Sequence, residues 1–309
     1  MKVAYLSSGE FGIPALDELV RDGHEVVVGT MPARPAGRGR VLRATPIAAH
    51  AARLGVPVAE LDDVNAPAGL AWLREVHPDV LVVVAFAQKL GPAVRAAAPW
   101  GCINVHPSLL PRWRGAAPVQ AALLAGEAET GVCVIDVVDR MDAGDVLAVA
   151  RTTTAGKTAG DLLEELARTG ACLVLEVLDA LARGTATRTR QDERAVTRAR
   201  KLGTDDGRIR WEEEAAVVDA RVRAVTPRPG AFTRLPTGRR LGVLRGRPEP
   251  VPDSTLPGER VGDDGLLVAC GSGGYRLLEV RPEGGRAMTA DEYLRGQRRE
   301  AGAGLRFGP

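Results

Sequence analysis

The stretch Asn104-Val-His-Pro-Ser-Leu-Leu-Pro111 carries the side chains best suited to chemistry, and it follows directly on a short apolar run. Alternate side chains of a strand share a face, so Asn104 and His106 point the same way if the strand extends to them. Ligands bind at the carboxyl ends of strands in open parallel sheets, and the prolines here bend the backbone away from that end. The pattern therefore predicts a site that presents an amide and an imidazole.

A second polar stretch, Asp139-Arg-Met-Asp-Ala-Gly-Asp145, follows another apolar run that we interpret as a strand. If the sheet is parallel, these carboxylates lie at the same end of it as His106, where one of them can orient the imidazole for acid-base chemistry. The simpler interpretations are a structural histidine and an ordinary turn. Spacing alone leaves these alternatives open.

The remaining motifs exclude several kinds of site. His24, His50 and His77 lie in surface-like turns or helices without an evident catalytic partner, which leaves His106 as the candidate. The chain contains neither G-x-G-x-x-G nor G-x-x-x-x-G-K-[ST], so it offers no dinucleotide or ATP motif. Its four cysteines are scattered, and its four histidines show no metal-ligand spacing. We therefore expect free thiols and no metal.

The length and composition fit a globular protein of two domains. A chain of 309 residues is long enough for each domain to bury its own core. Hydrophobic residues make up 45% and charged residues 26%, and the formal net charge of +2 gives no indication of nucleic-acid binding. The longest apolar run, residues 80–87, is too short to span a membrane, and the N-terminus lacks a signal-peptide pattern. We expect a cytoplasmic protein with no membrane partner.

The first half of the chain alternates short apolar runs with helical patterns, which is typical of parallel strands joined by crossover helices. These runs predict strands at residues 3–7, 25–30, 80–85, 101–106 and 132–138, and helices at 13–21, 46–54, 67–76 and 161–182. The fold class expected for this part is therefore α/β, with a Rossmann-like sheet.

The composition and the hydrophobic pattern of the sequence change after the last of these helices. Residues 183–201 are rich in arginine, which is typical of a solvated linker or of a phosphate-contacting segment. Short strand-like runs at 241–244, 265–269 and 275–280 then alternate with glycine and proline turns. We predict a catalytic domain at 1–184, a basic linker at 185–206, and a smaller mostly-β domain, interpreted as a barrel, at 207–309.

The motif from Asn104 to Pro111 resembles the signature of the folate-dependent formyltransferases. Within that family, Arg112-Trp-Arg-Gly-Ala-Ala-Pro-Val-Gln120 and Arg34-Pro-Ala-Gly-Arg-Gly39 resemble the branch that formylates methionyl-tRNA. The C-terminal patterns Val225-Thr-Pro-Arg-Pro-Gly-Ala-Phe232 and Val280-Arg-Pro-Glu-Gly284 are similar as well, so the resemblance covers nearly the whole chain. It implies a Rossmann-like formyltransferase domain followed by an OB-like β-barrel that binds tRNA.

The resemblance also implies roles for individual residues. It makes Asn104, His106 and Asp142 the catalytic set, with 10-formyltetrahydrofolate as the formyl donor and initiator methionyl-tRNA as the acceptor. The residues that it places at the folate are Phe86, Ala87, Gln88, Lys89, Leu90, Ser108, Leu109, Leu110 and Pro111. A monomer is expected.

The expected tRNA contacts are basic. Arg38 matches a loop that this family inserts against the acceptor stem, and Arg40 and Arg43 lie in the same loop. Lys201, at the end of the arginine-rich stretch, is a further candidate for a phosphate contact. Without the resemblance, a solvated loop would be the simpler interpretation of this cluster.

Three other functions remain open at this point. The signature from Asn104 to Pro111 is also similar to formyltransferases that act on small amines, such as glycinamide ribonucleotide or an amino sugar. A non-catalytic RNA-binding paralogue would keep the fold and the basic loop, and a hydrolase would release formate from the folate. The chain departs from the usual family pattern at Ser7-Ser8-Gly9 and at Phe86-Ala87, where Gly-Thr-Pro and Tyr-Gly are usual, but it keeps all three catalytic residues.

Overall fold

The secondary structure follows the sequence pattern closely in the first half of the chain. The computed structural model describes residues 1–36, 41–252, 254–297 and 306–308. Its first ten strands are β1 (Lys2–Ser7), β2 (Glu25–Thr30), β3 (Arg34–Ala36), β4 (Val41–Arg43), β5 (Val58–Glu60), β6 (Val80–Val84), β7 (Cys102–His106), β8 (Arg114–Gly115), β9 (Glu129–Asp136) and β10 (Val146–Thr153). Its first six helices are α1 (Ile13–Arg21), α2 (Pro46–Leu54), α3 (Pro67–Val76), α4 (Pro92–Arg95), α5 (Pro118–Leu124) and α6 (Ala159–Ala182).

The remaining elements are shorter and mostly β. They are β11 (Arg198–Ala199), α7 (Ala215–Val225), β12 (Ala231–Arg234), β13 (Arg240–Glu249), β14 (Arg260–Val261), β15 (Leu266–Ala269), β16 (Gly274–Pro282), β17 (Met288–Thr289) and α8 (Ala290–Gln297). The predicted strands at 241–244 and 275–280 lie inside β13 and β16, and the one at 265–269 begins one residue before β15, whereas α7 and α8 were not predicted. Among the described residues, no helix has the length and apolarity needed to cross a bilayer.

The chain divides into two compact units. The first comprises Met1–Pro118, Thr130–Thr152 and Leu163–Arg198, and the second comprises Val119–Glu129, Thr153–Leu162 and Ala199–Pro309. Most of the stretch that we interpreted as a linker therefore packs with the first unit, up to Arg198.

A seven-stranded sheet in the order β10-β9-β7-β6-β1-β2-β5 forms the first unit's core. The strands from β7 to β5 in this order are parallel, and Val3 of β1 lies between Val26 of β2 and Val80 of β6. All five residues of β6 are buried, as expected for a parallel strand that is covered on both faces. The predicted Rossmann-like α/β fold is confirmed.

The direction of one strand differs from the prediction. β9 is antiparallel to β7, with Ile103 opposite Asp136 and His106 opposite Cys133. The expectation that Asp142 follows a parallel strand was therefore wrong, because β9 ends beside the start of β7 rather than beside His106. A continuous apolar run has the same burial pattern in either direction, so the sequence could not reveal its orientation.

The crossover helices begin and end at residues that favour helix termini. Proline occupies the first turn of α1, α2 and α3, where its missing N–H costs no hydrogen bond. The Thr45 hydroxyl caps α2 by accepting a hydrogen bond from the Ala48 N–H at 3.2 Å, and Gly55 ends that helix in a left-handed conformation. These signals fix the bounds of the crossover helices, which in turn fix the sheet.

The second unit is built on an antiparallel sheet in the order β12-β13-β16-β15-β14, with β17 paired to β16. Register shifts around Arg245 in β13 bend this sheet. Its core includes Trp211, whose indole N–H donates to the Thr233 hydroxyl at 2.9 Å. This arrangement agrees with the predicted mostly-β second domain.

Candidate active site

His106 is the last residue of β7, and its imidazole is held from two sides. Nε2 lies 3.1 Å from the carbonyl oxygen of Trp113, and because a carbonyl only accepts, this ring nitrogen donates. Nδ1 lies 3.6 Å from Oδ1 of Asp142, and the two side chains are only 6% and 13% exposed. The imidazole is therefore oriented by one carbonyl and one carboxylate in a largely buried setting.

Asp142 uses its two carboxylate oxygens for different partners. Oδ1 faces His106, while Oδ2 accepts a hydrogen bond from the backbone N–H of Gly115 at 2.9 Å. The backbone of Asp142 has φ of 54°, the left-handed region that non-glycine residues adopt at a cost. The loop thus accepts an unfavourable conformation and places a carboxylate against the imidazole.

Asn104 lies two residues before His106 on β7, on the same face of the strand. It is half-buried, and its backbone lies between Val83 of β6 and Ile135 of β9. The structure therefore places the predicted amide and imidazole side by side at a strand end. It also brings Asp142 to His106, although by a different topology from the one expected.

Two buried residues that the sequence did not single out support the Asp142 loop. The guanidinium of Arg114 donates to Oε1 of Gln191 through Nε at 3.1 Å and Nη2 at 2.8 Å. Nε2 of Gln191 donates to the carbonyl oxygens of Asp142 at 2.9 Å and Gly144 at 2.7 Å. Arg114 and Gln191 are 77 residues apart, and neither belongs to a local motif that would indicate this contact.

The two segments predicted to hold the folate leave the sheet side by side. β6 and β7 are parallel neighbours with Val84 opposite Val105, so residues 85–90 and 107–111 begin at the same edge. In the first segment Phe86 is half-buried, Ala87 is exposed and Leu90 is buried. The carboxyl ends of these strands form the type of edge at which open α/β sheets bind ligands.

Two of the predicted folate residues already use their side chains within the protein. The amide of Gln88 donates to the carbonyl oxygens of Leu61 and Asp62 at 3.0 Å and accepts from the N–H of Val64 at 2.7 Å. The hydroxyl of Ser108 donates to the carbonyl oxygen of Arg112 at 2.8 Å. These contacts shape the local backbone, and the binding roles of Gln88 and Ser108 stay predictions.

An ion pair links the first of these segments to the Asp142 loop. Nζ of Lys89 lies 3.1 Å from Oδ1 of Asp139, and Arg95 approaches the same oxygen at 3.6 Å. The hydrogen bond from Lys89, and then its positive charge, lower the pKa of Asp139 below its usual range. Both groups of the Lys89–Asp139 pair are exposed, so the pair adds little to stability and serves mainly to place charge at the rim of the site.

The predicted tRNA contacts fall in different parts of the chain. Arg43 is exposed at the end of β4, which forms a hairpin with β3 and also exposes Val41 and Leu42. Arg38 and Arg40 lie outside the described residues. Lys201 is exposed in the second unit.

Two family profiles and several named proteins match this chain. Residues 1–178 match the family profile described as formyl transferase, and residues 201–298 match the one described as formyl transferase, C-terminal domain. The methionyl-tRNA formyltransferase of Methylobacterium sp. (strain 4-46) is 43% identical over 310 residues, covering 99% of each chain. The methionyl-tRNA formyltransferase of Akkermansia muciniphila is 38% identical over 303 residues, covering 96% of each.

A solved structure shares the fold. HypX from Aquifex aeolicus in complex with tetrahydrofolic acid superposes with a TM-score of 0.67 at 20% identity, covering 96% of this chain and 47% of that one. At this level of identity the likeness concerns the fold alone.

The packing of the Asp142 loop on β9 can be tested at Gly144. A Cβ at this buried position would lie 1.7 Å from the carbonyl oxygen of Asp136, so Gly144→Ala must displace the loop or the strand. We expect a loss of roughly 1–3 kcal/mol of stability, measured as a lower calorimetric midpoint. Gly296→Ala in α8 is the matched control, because a Cβ there meets nothing within 4 Å. An unchanged midpoint for Gly144→Ala would contradict the described packing.

Proposed function

Because the chain belongs to the formyl transferase family through both its N-terminal and its C-terminal domain, we propose that it transfers the formyl group of 10-formyltetrahydrofolate to the amino group of methionyl-initiator tRNA. The observation that best supports this function is the match, over 96–99% of both chains, to relatives named methionyl-tRNA formyltransferase. An enzyme of this type supplies the formylated methionine that starts translation.

The alternatives fit the observations less well. A formyltransferase for a small amine needs no tRNA-binding second domain, whereas this chain matches methionyl-tRNA formyltransferases over both of its domains. A non-catalytic RNA-binding paralogue would have no need to keep the largely buried side chains of His106 and Asp142 3.6 Å apart.

The first chemical step forms a bond between the amine nitrogen and the formyl carbon. The carbonyl π electrons move to the formyl oxygen, which becomes an oxyanion on a tetrahedral carbon. Asn104, at the strand end, supplies an amide N–H to that oxyanion. Loss of one such donor typically costs roughly 10²- to 10³-fold in rate.

His106 supplies the second donor and the proton route. Nδ1 faces Asp142 and Nε2 donates to the Trp113 carbonyl, so the imidazole ring must rotate about its side-chain bonds for the Nε2 hydrogen to exchange that carbonyl for the oxyanion. Asp142 orients the ring and provides a countercharge when the ring holds two protons. Collapse of the intermediate re-forms the carbonyl and breaks the bond to the folate nitrogen, and the proton lost by the amine ends on that nitrogen through His106 or a water molecule.

The tRNA contacts follow from charge. Arg43 is exposed on the β3–β4 hairpin, and with Arg38, Arg40 and Lys201 it supplies cations for phosphates of the acceptor. The exposed Val41 and Leu42 beside Arg43 add apolar surface to the same hairpin.

The proposed function has consequences for where the protein acts, for its oligomeric state and for its need of a metal. We infer that the protein acts in the cytoplasm, where its tRNA and folate substrates meet, and that one copy of the chain suffices. We also infer that no metal takes part, since hydrogen-bond donors and a proton route meet the needs of formyl transfer. Sedimentation of the active enzyme and turnover after treatment with chelators test the last two inferences.

The acceptor can be identified directly. Purified protein is incubated with labelled 10-formyltetrahydrofolate and, in parallel, with methionyl-initiator tRNA, methionyl-elongator tRNA and glycinamide ribonucleotide. We expect label chiefly on the initiator tRNA. Label on the small amine or in free formate would overturn the proposed acceptor but leave the catalytic residues in place, and no consumption of folate would favour a non-catalytic RNA-binding protein.

The catalytic set can be tested with single variants. His106→Gln removes the imidazole and keeps a polar side chain, so we expect kcat to fall roughly 10²- to 10⁴-fold with little change in KM. His77→Asn is the control, because His77 is exposed and asparagine tolerates its left-handed φ of 49°. Wild-type kcat in His106→Gln would remove His106 from the mechanism.

The role of the hairpin in tRNA binding can be read from salt dependence. Arg43→Ala should weaken tRNA binding and reduce the slope of log K against log salt by about 1, since one phosphate contact is lost. Arg74→Ala, which removes an exposed arginine from α3, should leave the slope unchanged. Equal slopes for the two variants would show that Arg43 contacts no phosphate.

A further inference from the structure

The two groups that hold the imidazole of His106 belong to residues whose backbone is in the left-handed conformation, which is unfavourable for residues other than glycine. Trp113, whose carbonyl meets Nε2, has φ of 62°, and Asp142, whose carboxylate faces Nδ1, has φ of 54°. Neither residue is a glycine, so neither conformation persists without support from its neighbours.

Gln191 holds the Asp142 loop through its backbone. The side-chain Nε2 reaches the carbonyl oxygens of Asp142 and Gly144, which lie on either side of Ala143. Both contacts are short and lie in a buried setting, where an unmade hydrogen bond would be costly. One amide group thus fixes the curvature of the loop on both sides of its turn.

Arg114 determines which end of the Gln191 amide faces the loop. Arginine only donates hydrogen bonds, so the atom that meets its Nε and Nη2 must be the oxygen Oε1. Nε2 is therefore directed at the two carbonyls. Arg114 is itself 4% exposed, and its Nη2 also donates to Oε1 of Glu193 at 3.0 Å.

The same segment of chain holds Trp113. The backbone N–H of Trp113 donates to the hydroxyl of Thr197 at 2.9 Å, and the N–H of Arg114 donates to the Thr197 carbonyl at 3.0 Å. Residues 191–197, which we call the strap, therefore support both partners of His106, Gln191 on the Asp142 side and Thr197 on the Trp113 side.

We propose that Gln191 is a positioning residue for formyl transfer, oriented by Arg114 and acting on His106 through the Asp142 loop. The inference rests on the proposed function, because it assigns Gln191 to the same catalytic group. Gln191 is not a catalytic residue, since its side chain is occupied by Arg114 and by the two loop carbonyls.

The contact can be removed with little change of shape. Gln191→Glu keeps an acceptor for Arg114 but replaces the donor Nε2 by an oxygen that repels the carbonyls of Asp142 and Gly144. Gln191→Met is a second variant of similar length without a donor. Glu176→Gln is the matched control, an exchange between carboxylate and amide at an exposed residue of α6, outside the strap.

The first readout is independent of activity. In protein labelled with ¹⁵N-histidine, the ring resonances of His106, assigned by their loss in His106→Gln, should move in both Gln191 variants towards their positions in Asp142→Asn. Those of His24, His50 and His77 should stay in place, and Glu176→Gln should match the wild type. Unmoved His106 resonances in folded Gln191→Glu would overturn the proposal.

The second readout is a kinetic cycle. We expect Gln191→Glu to lower kcat by roughly 10- to 100-fold with KM for each substrate within about threefold. In an Asp142→Asn background the same change should cost less than about twofold, because the group being positioned has already been removed. Equal losses in both backgrounds would overturn the proposal.

The two readouts separate this proposal from the proposed function. The rates are followed as loss of the formyl group from 10-formyltetrahydrofolate with the acceptor that the wild type uses best. A wild type that forms no formyl-methionyl-tRNA contradicts the proposed function, whereas the His106 resonances report on Gln191 regardless of the acceptor.

Discussion

The pairing of His106 with Asp142 is the contact on which the geometry of the candidate active site depends. It joins the end of a central parallel strand to a loop that follows an antiparallel strand, so no single element can supply both groups. The histidine is delivered by the sheet, whose register is fixed by buried apolar strands. Asp142 is positioned by a loop whose shape is fixed by polar contacts. The geometry of the site thus depends on apolar packing for the histidine and on hydrogen bonds for the aspartate.

The difference between the sheet that positions His106 and the loop that positions Asp142 explains how much of the site the sequence could predict. Strands β1, β2 and β6 are mostly apolar, and the crossover helices α1, α2 and α3 carry a proline in their first turn, so hydrophobic pattern and local chemistry identify both. Asn104 and His106 follow directly, because alternation along β7 places them on one face. This part of the site was predictable because its determinants are adjacent in sequence.

The remaining features had no local signal. The direction of β9 could not be predicted, because an apolar run reads the same both ways. The helix α7 escaped notice because its valines are also typical of strands. Arg114 and Gln191 are a polar pair that exists only in the folded chain, and the arginine-rich texture around Gln191 indicated a solvated linker rather than a buried contact.

The position of the strap also bears on where this catalytic module ends. The last helix of the sheet fold, α6, ends at Ala182, and a boundary drawn there on secondary structure would look complete. The strap lies beyond it and before Ala199, where the last and longest segment of the second unit begins. A fusion or domain exchange that joined the two modules between Ala182 and Gln191 would keep every strand and all three catalytic residues, yet would replace the support of the catalytic loop with foreign sequence. Recombination between relatives should therefore tolerate a crossover after Thr197 far better than one before Gln191.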